Sequence, residues 1–368
     1  MKYIWQLADF PKFKYDTSKL LALVEESVVL IGEVRGIMKG FSPALQDEVS
    51  AQVMLSEAIK TSEIEGEYFS REDVMSSLMM NLGLVDYVLP SKNKNADAIA
   101  RLMIEVRKNY NQPLTLEMIL HWHKILMKHH ADIHGGALRS SSKPMQVISG
   151  RYGDIEVHYE APPSKDLPLL LEVFFQWYRT FEDSTLGTIG EAIILSALSH
   201  LYFETLHPFE DGNGRIGRAI TEKVLAEKLQ SPLFISLSTY IEKNKSTYYN
   251  EIKKAQRSLE VTDWLVYSIQ VLIEALKETV LVVQFVRKKT EFYDRYNREL
   301  NERQRKVINK MFNQGISGFE GGMTARKYVS INKTTKSTAT RDLQELVDKD
   351  IFVRKGAGRS TSYDLNLK

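Results

Sequence analysis

No cysteine occurs anywhere in the 368 residues. That excludes disulfides, thiolate metal centres and a cysteine nucleophile, and it suits a reducing compartment. Uninterrupted apolar runs of membrane-spanning length are missing too. The greasiest stretch, 264–286, is broken by Glu274, Lys277 and Glu278, so a packed helix is expected there and no membrane span. The opening Met1-Lys2-Tyr3-Ile4-Trp5 has no signal-peptide core, and a cytoplasmic protein is the expectation. Excess charge is scarce as well: 49 Lys and Arg stand against 47 Asp and Glu, a net of +2, which favours no partner class for the whole chain. Its distribution is uneven. From Asn301 onward fourteen Lys and Arg face seven Asp and Glu, a net of +7.

What is present is mostly helical periodicity. After an aromatic strap (Tyr3, Trp5, Phe10, Phe13, Tyr15), apolar positions recur at helical spacing over 20–37 and 49–64. The polar stretch 91–95 marks a loop, and helices are expected over 97–110 and 116–128. His121, His123, His129, His130 and His134 crowd together. No acidic companion stands at the spacing of a helical zinc site, so these are read as structural. Short β segments at 145–149 and 155–159 flank Gly150-Arg151-Tyr152-Gly153-Asp154, the turn chemistry of a hairpin. Helices over 167–181, 189–205 and 240–255 follow, then a long amphipathic one over 264–299.

The last segment reads as a winged helix-turn-helix. Its helices are expected at 302–312, 324–329 and 336–348, with a wing of 351–354, a Gly356-Ala357-Gly358 turn and 361–365. Lys333, Lys336, Arg341, Arg354, Lys355 and Arg359 could neutralise phosphates there. Asp342 and Glu345 share the third helix and oppose that use, so DNA binding is not favoured.

Residues 207–218 read His-Pro-Phe-Glu-Asp-Gly-Asn-Gly-Arg-Ile-Gly-Arg. The Gly-Asn-Gly step lets the backbone turn tightly and aim several N–H groups at one place. A helix starting near Asn213 would present unpaired N–H groups and roughly half a positive charge, a ready anion site. Arg215 and Arg218 are three apart and share its face. Asp211 can hold a hard cation such as Mg²⁺ against the same anion. His207, four residues ahead of the loop's carboxylate, can take a proton near neutral pH.

The segment resembles in full the signature of the Fic family of protein adenylyltransferases, His-x-Phe-x-(Asp/Glu)-Gly-Asn-Gly-Arg-x-x-Arg. The resemblance implies a mainly α fold: a helical core with a β-hairpin flap, an N-terminal helical domain (1–90), a catalytic core (96–263), a connecting helix (264–300) and the winged helix (301–368). It implies His207 as the base that lets a Ser, Thr or Tyr hydroxyl attack the α-phosphate of ATP. Asp211 would be the Mg²⁺ ligand, and the amides of Gly212, Asn213 and Gly214 would cradle phosphates, with the Asn213 side chain added. Arg215 and Arg218 would grip the β and γ phosphates. Ile216 and Gly217 fall in the same nucleotide-binding stretch, and Phe209 would plug the loop into the core. Glycine at 214, where phosphorylating relatives carry Lys, points to AMP transfer.

By the same resemblance Val147, Ile148, Ser149 and Gly150 belong to the flap that holds a target's backbone, and Tyr248 and Gln256 line the adenine pocket. Thr61-Ser62-Glu63-Ile64-Glu65-Gly66 is similar to the family's inhibitory pattern, (Ser/Thr)-x-x-x-Glu-(Gly/Asn). Thr61 and Glu65 share a helix face, and Glu65 is expected to deny Arg218 to the γ-phosphate. In some relatives this Glu also supports removal of AMP. ATP, Mg²⁺ and unidentified target proteins are the implied partners, with self-modification and a homodimer open. The alternative is a DNA-binding regulator whose core senses nucleotide without transferring it; UMP transfer is a third option.

Overall fold

Apolar residues at helical spacing become helices along most of this chain. The computed structural model describes residues 2–84, 93–151 and 154–367, without the side chains of residues 149–151, 154, 155 and 359. The helices are α1 (Leu21–Lys39), α2 (Pro43–Ile64), α3 (Arg71–Leu82), α4 (Lys94–Lys108), α5 (Leu116–Leu126), α6 (Leu167–Thr180), α7 (Gly187–Leu206) and α8 (Asn213–Lys228). Next come α9 (Leu237–Lys243), α10 (Lys245–Ala255), α11 (Thr262–Tyr296), α12 (Glu302–Phe312), α13 (Ala325–Asn332) and α14 (Lys336–Asp348). Among the described residues the strands form two antiparallel pairs, β1 (Gln146–Arg151) with β2 (Asp154–Glu160), and β3 (Phe352–Lys355) with β4 (Ser362–Leu365). Of the expected loop at 91–95, Ser91 and Lys92 lie outside the described residues. Asn93 caps α4 by accepting from the Asn95 and Ala96 amides, so the helix begins three residues earlier than its apolar spacing suggests.

By packing, the chain divides into two units, Met1–Lys39 with Val53–Thr279, and Gly40–Gln52 with Val280–Lys368. Met54, Leu55, Ala58, Val74 and Leu78 from the N-terminal helices share one apolar core with Trp122, Phe174, Phe203 and Phe209. The far part of the expected connector belongs to the second unit, where Phe292, Tyr296 and Leu300 pack among the buried residues of α12 and α14.

In the first unit α7 is the central helix, buried at every position from 192 to 206, and it packs along α8 and against α6 and α1. The aromatic strap lies on this body: Phe10 meets Tyr202 edge-on at 4.7 Å, and Phe13 meets Trp177 at 5.8 Å. The window Ser164–Leu206 has the length and mean hydropathy (1.3) of a membrane span, but 72% of it is buried inside the fold and residues 181–183 break it into α6 and α7. It is core.

The second unit carries α12, α13, α14 and the β3–β4 hairpin over the residues where a winged helix-turn-helix is expected. Asp342, which opposes DNA on the sequence pattern, points inward: it is 1% exposed, bound to Arg303 at 2.7 Å and to the Tyr328 hydroxyl at 2.9 Å. The outward face of α14 thus carries Lys336, Thr340, Arg341, Gln344 and Asp348, a mixed face and not a basic one. The Arg359 side chain lies outside the described residues.

Candidate active site

The helix α7 ends at His207, whose backbone is left-handed (φ 46°) and whose N–H still donates to Phe203 O at 2.9 Å. A non-glycine residue at positive φ is sparsely populated and persists when its surroundings over-determine it. Here Arg139 does so. It is 4% exposed, and its Nε donates to His207 O at 2.7 Å while Nη2 donates to Pro162 O at 2.5 Å and Leu206 O at 3.3 Å. Its own amide donates to Pro208 O at 2.9 Å. One buried cation therefore satisfies the carbonyls left open where α7 stops.

Beyond His207 the loop is fixed from inside. Phe209 is fully buried and stacks on His123, with ring centroids 3.8 Å apart. His123 Nδ1 accepts from the Gly136 amide at 3.0 Å, leaving Nε2 to donate to Asp211 O at 3.2 Å. Asn213 Oδ1 accepts from Phe209 N at 2.9 Å, and its Nδ2 donates to Phe209 O at 2.8 Å. The Asn213 side chain thus braces the loop from within. Gly212 caps α8 in the left-handed region (φ 81°), which favours glycine, and a Cβ there would lie 2.4 Å from Met127 Cε, which would have to shift.

The two guanidiniums of α8 are both buried, each 2% exposed, and both face carboxylates from the turn that follows α2. Arg218 donates through Nη2 to Glu65 Oε1 at 2.8 Å and to Thr61 O at 3.0 Å, and through Nε to Thr61 Oγ1 at 2.7 Å. Burial alone would lower the Arg218 pKa, but Glu65 outweighs it and holds the cation firmly protonated. Arg215 Nη1 meets Glu67 Oε2 at 2.7 Å, with Asp211 Oδ1 3.7 Å from Nη2. Glu65 Oε1 would be 2.3 Å from a Cβ at position 214, so the carboxylate lies flat against the start of α8. Arg218 Nη1 is buried without a hydrogen-bond partner.

The end of α2 is anchored at successive turns. Glu57 accepts from Ser236 Oγ at 3.0 Å and Ser238 N at 2.9 Å, Lys60 reaches Glu242 at 3.3 Å, and Lys245 Nζ donates to Ile64 O. A cation at a helix C-terminus is favourable there.

Other expected site residues are placed differently. Ile216 is fully buried core, and Gly217 faces Glu204, whose Oε1 would be 2.5 Å from a Cβ; neither is turned to an anion at the helix start. Tyr248 is 2% exposed and its hydroxyl lies 2.9 Å from His200 Nε2. Thr221 Oγ1 donates to Gly217 O and so accepts from His200 Nδ1 at 2.7 Å, which makes Tyr248 the donor to Nε2. Gln256 is buried and donates to Glu204 O at 3.2 Å. Tyr248 lines a cavity that Arg218, His200 and Trp264 also line, and Gln256 is buried beside Glu204.

In the hairpin Val147 pairs with Tyr159 and Ile148 with Val157, with a bulge between. Ile148 is 53% exposed, while Tyr159 anchors the base by donating to Thr205 O at 2.6 Å. The backbones of Ser149 and Gly150 pair with Glu156 and Ile155; Tyr152 and Gly153 of the expected turn lie outside the described residues, as do the side chains at 149 and 150. No group of three His, Asp or Glu among the described residues could hold a metal by itself. Asp211, 53% exposed, could serve only as one ligand of a cation that a bound anion completes.

Burial pushes both His123 and His200 down to about 4. An unfolded histidine protonates near 6.5, so the unfolded state binds more protons between those values. The stability these groups contribute is present above 6.5 and is lost as pH falls toward 4. The thermal midpoint is therefore expected to drop by several degrees between pH 7 and pH 4.5, read by calorimetry; a flat profile would contradict the neutral assignment of both rings.

Similarities to known proteins fall on these segments. Residues 113–225 match the Fic/DOC family, and residues 3–84 match a domain of unknown function (DUF4172). The protein adenylyltransferase Fic of Drosophila melanogaster is 31% identical over 143 residues, 39% of this chain and 25% of that protein. A probable protein adenylyltransferase of Aquifex aeolicus is 27% identical over 123 residues, 33% of this chain and 34% of its own. The chain thus spans about a quarter to a third of the curated relatives it matches. A Fic family protein from Desulfovibrio desulfuricans G20 shares the fold with a TM-score of 0.52 at 17% identity, covering 92% of this chain and 95% of its own. A Fic domain containing signaling protein from Bacteroides thetaiotaomicron gives 0.53 at 16%, over 71% and 97%.

Proposed function

We propose, on the premise that this chain carries a Fic/DOC-family domain over residues 113–225, that it transfers AMP from ATP to hydroxyls of target proteins and restrains itself with Glu65 and Glu67. The observation that carries the reading is the pair of buried guanidiniums at the start of α8, with carboxylates of the same chain lying where an anion would bind. A buried Arg218 Nη1 without a partner is a costly vacancy that a phosphate oxygen would fill.

In the transfer, His207 takes the proton of a Ser, Thr or Tyr hydroxyl. That oxygen forms a bond to the α-phosphorus, the bond to the bridging oxygen breaks, and pyrophosphate leaves with the electron pair. The chain contributes positioning and fixed charge: amides at the α8 N-terminus, Arg215 and Arg218. Asp211 fits as a ligand to Mg²⁺, which would neutralise charge on the phosphate oxygens when bound. The exposed edge of β1 and β2 suits a target backbone added as a strand.

The test is the Glu65→Gly chain incubated with Mg²⁺, lysate and ATP labelled at the α or the γ position. Label on protein from the α but not the γ position, with an AMP mass on a hydroxyl residue, is expected. Label from neither, or from γ alone, overturns the reading. Glu67 gives a second check. Its side chain is 27% exposed, so its ion pair is worth less than a fully buried one, roughly 1–2 kcal/mol. Glu67→Gln is expected to raise transfer about tenfold, measured as initial rate at low ATP; an unchanged rate would leave Glu65 as the sole restraint.

A further inference from the structure

An imidazole works as a base at one ring nitrogen when the other is held in a fixed protonation state. Glu204, on the last turn of α7, brings Oε2 to 3.6 Å from His207 Nδ1. It is 7% exposed, and it is the one carboxylate between Glu191 and Glu210 in the sequence. Its other oxygen has no hydrogen-bond partner and is accommodated because position 217 has no side chain. Burying a carboxylate costs several kcal/mol unless a cation compensates. Burial raises its pKa, yet His207, His200 and Arg218 together lower it and keep it ionised. His200 is itself neutral, pushed down to about 4 by burial, and Arg218 is committed to Thr61 and Glu65. Tyr159, Tyr248 and Tyr249 also face Glu204, and burial holds all three as neutral phenols. Among these groups His207 is the one whose ring nitrogen forms an ion-pair contact with this charge, and it lowers the Glu204 pKa the most.

We infer that Glu204 is a positioning residue for His207: its carboxylate holds Nδ1–H, makes Nε2 the basic nitrogen, and stabilises the imidazolium formed when the acceptor's proton arrives. The inference rests on the reading of His207 as the base. The contact at 3.6 Å is longer than a hydrogen bond, and catalytic contacts of this kind tighten in the substrate complex. In the step itself the hydroxyl O–H bond breaks as O–P forms; the proton ends on Nε2, and no proton passes to Glu204, which remains ionised.

The experiment uses the full-length Glu65→Gly chain as parent, with and without Glu204→Gln. The amide fills the same space, so a merely structural role would leave the kinetics unmoved. The substitution is expected to lower kcat about 10²–10⁴-fold, to change the KM for ATP less than about threefold, and to move the acid limb of the kcat/KM profile about one unit toward lower pH. Glu204→Asp keeps the charge but withdraws it by one methylene; it is expected to lose roughly 10- to 100-fold in kcat with the acid limb unmoved. An active parent whose Gln variant keeps its kcat and pH profile overturns the inference, and full activity in the Asp variant does so even where the Gln variant fails to fold. A parent that transfers no AMP overturns the base reading and this inference together, so the two failures are told apart.

Discussion

Glu65→Gly is expected to raise AMP transfer about 10- to 100-fold. The magnitude follows from burial. Arg218 is 2% exposed but the Glu65 side chain is 29% exposed, so breaking this guanidinium–carboxylate pair costs less than a fully buried one, about 1–3 kcal/mol, which bound ATP must supply in the wild-type chain. Removing the carboxylate removes that cost. Arg218 does not collapse on its release, because Thr61 still accepts from its Nε and Nη2, so the freed cation stays aimed. Initial rates with α-labelled ATP across a range of ATP concentrations read this out. The gain is expected mainly at low ATP, where occupancy of the phosphate site limits the rate. Equal rates in the two chains would sink the restraint and leave the Glu65–Arg218 contact as plain scaffolding.

His207→Ala in the released chain is expected to lower transfer by about 10²–10⁴-fold while ATP binding persists. The loss falls on kcat because the groups proposed to hold the nucleotide, the α8 amides and both arginines, do not depend on the imidazole. Alanine at φ 46° is strained, so a second variant separates chemistry from folding. His207→Asn supplies no base but tolerates the left-handed conformation, and it is expected to match the alanine variant in activity while keeping the parent's thermal midpoint. Calorimetric titration with ATP checks binding. Retained transfer in the Asn variant would mean that another group takes the proton.

The contiguous part of the site was legible because a tight turn, a helix start and its charges must be neighbours in sequence. Asp211, Gly212, Arg215 and Arg218 all lie within one loop and two helical turns. Glu65 was legible through its likeness to the family's inhibitory pattern, in which Thr61 and Glu65 share a helix face. Glu67 was not, because it follows the Gly66 turn (φ 83°), where no periodicity reports direction. Arg139 was hidden for a different reason. A cation used as a carbonyl clamp leaves no pattern around it, and its partners at 162, 206 and 207 come from elsewhere in the chain.

Glu204 did leave a trace: a lone carboxylate in an otherwise neutral, buried run is expensive and calls for a partner. Tyr248 and Gln256 show the converse. Family position alone put them near the nucleotide base; in the structure the Tyr248 hydroxyl lies against His200 and the Gln256 amide donates to Glu204 O. Apolar spacing marks helices without telling which core they enter, as residues 40–52 and 280–300 illustrate.

Arg139 fastens Pro162, just past β2, to the carbonyls of Leu206 and His207. The hairpin and the imidazole are thereby pinned to a common origin. A polypeptide laid along the hairpin would be measured against that origin as against a ruler, and the length of each side chain would decide whether its hydroxyl arrives at Nε2. On the proposed function, choice among serine, threonine and tyrosine would then be a matter of strand register, set by geometry before any chemistry begins.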